Sequence, residues 1–179
     1  WMFAFPSTAF ALFPVLVGES LDGGEVAIAA AAGALTAWSG LFARPLVGAV
    51  GARRALPIGM GAGVVGYVFG TLAFSTGIWP LLLVAAPLLG AASGTVTVGC
   101  LGLAGAMADD ARRGSLTSTV YLLGYPGMTM PLIVTTLGSA TSTVTALMTV
   151  TAIATLATAA VIVFGRRLAL HAPGATPPA

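Results

Sequence analysis

Apolar residues run through this chain in long, nearly continuous blocks, not at the spacing of an amphipathic helix or a half-buried strand. A helix crossing the hydrocarbon of a bilayer needs about 20 mainly apolar residues, since a backbone polar group there has no water to pair with. Six such spans are expected, near residues 2–18, 26–43, 55–75, 79–106, 115–137 and 143–165. The fold class is therefore all-α, a bundle of six transmembrane helices. The first block is short and begins at Trp1 with no polar lead-in, which reads as a cut at the N-terminal end. The fourth is long, and Pro87, Gly90 and Gly94 within it predict a kink or tilt rather than an extra crossing. Residues 166–179 lose the apolar pattern and gain proline, so they read as a disordered tail.

The interruptions between blocks carry the charge. All seven basic residues are arginines, at 44, 53, 54, 112, 113, 166 and 167, and six crossings put every one on the same side. The positive-inside rule makes that side the cytoplasm, with the C-terminus there too. Glu19, Asp22 and Glu25 fall in the first loop on the opposite side, where short turns at 75–78 and 138–142 are also expected. Trp79 fits an interfacial anchor on that side.

Composition narrows the classes further. The 179 residues are 58% hydrophobic and 7% charged, with a mean hydropathy of +1.02, too little polar surface to cover a water-exposed globule. Lysine, asparagine and glutamine are absent, a bias that points to a GC-rich genome and so to a bacterial cytoplasmic membrane. The net charge of +2 sits in three separate clusters, whereas a nucleic-acid surface needs a continuous basic face. Cys100 has no second cysteine to pair with, and His171 lies in the tail without a neighbouring ligand or nucleophile. No catalytic residue, metal site or cofactor is expected. An intramembrane enzyme would need a nucleophile with its base, or a metal cluster, inside the bilayer.

Glycines 61, 63 and 66 formally satisfy G-x-G-x-x-G, but no strand precedes them and no acidic residue occurs between Glu25 and Asp109 to hold a ribose. Gly59, Gly63, Gly66 and Gly70 instead share one helical face, where small residues admit a neighbouring helix closely.

The stretch "RPLVGAVGARR" resembles the tight cytoplasmic turn between the second and third helices of a six-helix half in the major facilitator superfamily, with Arg44, Gly48, Gly51, Arg53 and Arg54 at the matching positions. It lacks the acidic residue and following basic residue of that motif, so a structural turn with positive-inside anchoring is expected here. "DDARRGSLTSTVYLLGYPGMTMPLIV", residues 109–134, resembles the start of the fifth helix of such a half. Asp109, Arg112, Arg113 and Gly114 form its turn, and Gly124, Pro126, Gly127 and Pro131 weaken the helix near mid-span.

The resemblance implies the C-terminal half of a secondary transporter that works with a missing N-terminal six-helix half, or with a second copy, around a midplane solute site. It places the first, fourth and fifth helices near that cavity, which nominates Thr8, Phe10, Thr95, Thr97, Tyr121 and Tyr125. No ionisable residue lies deep in a span, so a small uncharged, amphipathic or weakly cationic solute fits best, with efflux as the expected direction. The alternative is a non-transporting membrane subunit or a permease component of a larger complex. The remaining partner is the lipid bilayer, and no nucleic acid is expected.

Overall fold

A computed structural model describes residues 1–13, 25–109 and 111–170. Among them all regular structure is helical and there is no strand. Helix α1 (Ala4–Ser7) passes directly into a π-helical stretch, Thr8–Leu12. It is followed by α2 (Glu25–Gly40), α3 (Ala43–Val50), α4 (Ala52–Thr76) and α5 (Leu81–Met107). Helix α6 (Arg113–Gly124) leads through a 3-10 stretch, Tyr125–Thr129, into α7 (Met130–Ala140), and α8 (Thr143–Leu170) is the last described element.

Among the described residues, five stretches are long and apolar enough to cross a membrane: Val26–Val50, Ala52–Thr76, Leu81–Met107, Arg113–Ala140 and Thr143–Gly165. The molecule is thus an all-helical chain of the multi-pass membrane kind. The first expected span, 2–18, is described only through Phe13, and Glu19, Asp22, Asp110 and His171 lie outside the described residues. Helix α8 runs to Leu170, so the first five residues of the expected tail, 166–170, are helical. Pro87 sits inside α5, which stays one continuous helix.

Glycine contacts fix the topology. A methyl group built on Gly59 would come within 2.9 Å of Thr95, one on Gly66 within 2.9 Å of Leu89, and one on Gly99 within 3.1 Å of Leu56. Helices α4 and α5 are therefore antiparallel and pack almost backbone to backbone. Along the same face of α4, Gly63 meets the ring of Phe5 and Gly70 that of Phe13, so α1 and its π-helical continuation run parallel to α4. Gly90 meets Thr36 and Gly94 meets Gly40, which sets α2 parallel to α5. The core lies where these seams converge, around Phe5, Leu12, Phe13, Tyr67, Leu82 and Leu89, all almost wholly buried.

The expected turn between the second and third spans takes a different form. The chain bends at Leu41 and Phe42, whose N–H groups bond Trp38 and Ser39 carbonyls at 3.1 and 3.3 Å, and then resumes as α3. Arg44 and Gly48 stand on that helix instead of in a loop. Only Gly51 separates α3 from α4, with φ 81° and ψ 148°. The reason is local: Leu46, Val47, Ala49 and Val50 offer no polar side chain to cap a loop, so helix continues until a residue without Cβ permits the reversal.

Candidate functional site

Two prolines shape the region that holds the nominated residues. Proline has no N–H, so the carbonyl four residues before it loses its helical partner. Pro6 frees the Met2 carbonyl, and Ser93 Oγ on α5 donates to it at 2.6 Å. Pro131 frees the Gly127 carbonyl, which takes the N–H of Met130 instead. That shorter bond closes the 3-10 stretch, which carries Pro126 at its start, at the middle of the Arg113–Ala140 span. Ser7 Oγ on α1 also reaches the Gly127 carbonyl, at 3.1 Å.

The first residues of the chain pack against this break. Phe3 stacks on Tyr125 with ring centroids 5.3 Å apart and planes 15° apart, and on Tyr121 at 6.3 Å and 29°. On the outer side of α6, residues three to four positions apart fall on one face. Ser115, Ser118, Thr119 and Leu122 join the two tyrosines there to line an open groove of about 530 Å³. Thr119 donates to the Ser115 carbonyl at 2.9 Å, so it needs no other partner. The groove offers aromatic faces and hydroxyls, and none of its lining side chains carries a charge at neutral pH.

Of the six nominated cavity residues, Tyr121 and Tyr125 line this groove, and the other four stand elsewhere. Thr8 is fully buried, its Oγ1 2.9 Å from the Ala4 carbonyl and 3.0 Å from the Tyr67 hydroxyl. Thr95 is buried in the α4–α5 seam against Gly59. Thr97 is half-buried and donates to the Ser93 carbonyl of its own helix at 2.7 Å. Phe10 is exposed on one side and lies 3.4 Å from the Cβ position of Gly33 on α2.

The antiparallel order brings Arg53, Arg54, Arg112 and Arg113 to one end of the bundle, whereas Arg44 follows Ala43, which packs on Gly94 at the middle of α5. Arg53 and Arg54 occupy the first turn of α4, beside the last turns of α5, where a methyl on Gly102 would lie 3.4 Å from Ala52. Arg112 and Arg113 follow α5 directly, and the Asp109 carbonyl accepts both of their N–H groups at 3.0 and 3.1 Å to form the turn. Gly114 has open space around it. Arg44, Arg53 and Arg54 are exposed.

Sequence reasoning did not single out Phe3, Ser7, Tyr67 or Ser93. Pro6 and Pro131 carried a partial signal, since each obliges some donor to meet a freed carbonyl. Tyr67 is wholly buried and also donates to the Ala4 carbonyl, at 3.2 Å.

Comparison with protein-family models, with curated proteins and with solved structures gave no significant match for this chain.

Proposed function

We propose that the chain carries a small solute across a bilayer by alternating access, as a six-helix unit of major facilitator type that works with a second six-helix unit. The observation that carries this reading is the break at the middle of the Arg113–Ala140 span together with the groove beside it. Irregular backbone at that depth is tolerated where protein or a cavity satisfies the freed groups. Exposed Ser115, Ser118 and Tyr125 on the same face suit a water-filled path or a partner unit better than lipid.

The groove's chemistry selects the solute class. Tyrosine faces and hydroxyls hold an uncharged, amphipathic or weakly cationic compound, and efflux is the direction such compounds commonly need. The arginine-bearing end faces the cytoplasm of a bacterial cell, and the chain corresponds to the C-terminal half of the transporter.

The test uses membrane vesicles from cells producing the natural gene product, energised and supplied with ethidium as a planar cation and chloramphenicol as an uncharged amphipath. Flux above that of vesicles lacking the protein is expected. Tyr125→Ala should lower it by roughly 2- to 10-fold, the equivalent of one aromatic contact. Equal flux with and without the protein for both probes would overturn the proposal.

A further inference from the structure

Two hydroxyl contacts tie α1 to its neighbours, and they differ in what their rupture leaves behind. Ser93 Oγ holds the Met2 carbonyl at 2.6 Å, and Pro6 ensures that no backbone N–H of the same helix can take its place. Parting α1 from α5 would strand a carbonyl in a medium without water, which is strongly unfavourable. Contact between α1 and the 3-10 stretch is of another kind. Ser7 Oγ has one proton and lies 3.1 Å from both the Gly127 carbonyl and the Ala4 carbonyl of its own helix. The Gly127 carbonyl keeps the Met130 N–H in either case.

When these elements separate, Ser7 turns fully to Ala4 and Gly127 retains its backbone bond, so neither side holds an orphan. Ala4 is a crowded acceptor, with the Thr8 hydroxyl at 2.9 Å and the Tyr67 hydroxyl at 3.2 Å, so the closed arrangement is favoured only modestly. Shape supports the same distinction. A methyl on Gly127 would come within 2.6 Å of the Ala4 nitrogen and 3.2 Å of the Phe3 carbonyl carbon, both backbone atoms. At Gly127 the two backbones touch directly, and the side chains that must part beside it are Phe3, stacked flat on Tyr121 and Tyr125, and Met2, seated against Gly124.

We infer that the contact between α1 and the Tyr125–Thr129 stretch is a releasable joint, whereas α1 and α5 move as one body. Span five then swings about its 3-10 break against a fixed α1–α5 unit, parting Phe3 from Tyr125 and opening the aromatic face of the groove. Its use in transport rests on the function proposed above; the joint itself does not.

Spin-label distances in the full-length natural product, in lipid and in a Cys100→Ala background, test this. One pair of labelled cysteines replaces Ala11 and Met128, across the joint; a second replaces Ala11 and Val84, across the fixed contact. Ala11, Met128 and Val84 are all exposed. The first pair should show a second, longer distance that the second pair lacks. Ser7→Ala should raise that longer population about threefold, the equivalent of one intramembrane hydrogen bond. Gly127→Ala should make it the major one, and Ser93→Ala should broaden the second pair. A single narrow distance for the first pair in the parent and both joint variants overturns the joint, as does equal broadening of both pairs. Flux without this motion removes the joint and leaves transport standing; motion without flux does the reverse.

Discussion

Replacing Gly66 by alanine isolates what the α4–α5 seam contributes. The added methyl would lie 2.9 Å from both Cγ and Cδ2 of Leu89 and 3.3 Å from the Ala85 carbonyl oxygen. Carbon atoms rest about 3.5–4.0 Å apart, so the seam must widen by more than half an ångström or Leu89 must leave its rotamer. Leu89 is wholly buried, so any new rotamer must fit within the packed core. Overpacking of this kind costs about 1–3 kcal/mol, while the better helix propensity of alanine returns up to about 1 kcal/mol. Gly61 on the same helix supplies the control, because nothing lies within 4 Å of its Cβ position. Gly61→Ala carries the propensity gain without the clash. The two variants should therefore differ by about 1–3 kcal/mol in favour of Gly61→Ala, read as thermal unfolding in detergent by circular dichroism. Equal stability of the two would refute close packing of α4 on α5.

Two further substitutions probe the backbone. Ser93→Ala should cost about 1–3 kcal/mol by leaving the Met2 carbonyl unpaired, and adding Pro6→Ala, which restores a donor N–H, should recover most of that loss. The same melts measure it, and a strictly additive double variant would contradict the freed-carbonyl account. Gly51→Ala should destabilise by about 1–3 kcal/mol despite open space around it, since φ 81° with ψ 148° is a conformation that essentially only glycine adopts. An unchanged melting temperature there would show that the α3–α4 reversal can be made another way.

How much of this was legible in the sequence depends on the distance over which each cause acts. Five of the six expected spans have counterparts among the described helices, and they were readable because bilayer thickness and backbone pairing are properties of a contiguous segment. The glycine face of α4 was readable for a related reason: Gly59, Gly63, Gly66 and Gly70 fall together by helical geometry alone, and all four are buried. The weakness of span five near Pro126 and Pro131 is local chemistry, and the helix does yield there. By contrast, which hydroxyl meets a freed carbonyl depends on residues 91 and 120 positions apart, Ser93 with Met2 and Ser7 with Gly127. The side that a threonine faces also depends on its neighbours. Thr95 and Thr97 are two residues apart, yet one is sealed in the α4–α5 seam and the other is half-buried on α5. Arg44 was placed in a loop because arginine and proline adjoin there, but proline is tolerated in the first turn of a helix, and α3 begins at Ala43.

The proposed transport requires the hydroxyl-bearing face of α6 to border a water-filled solute path. Single cysteines replacing Ser118 and Tyr125, in a Cys100→Ala background of the full-length product in native membranes, test it through their rate of reaction with a hydrophilic maleimide. Leu156, exposed on the outer face of α8, gives the lipid-facing reference. A thiol reacts through its thiolate, which forms only where water reaches, so both α6 positions should react about tenfold faster or more than the Leu156 position. Rates at Ser118 and Tyr125 as slow as at Leu156 would place that face in lipid or dry protein and contradict a solute path along it.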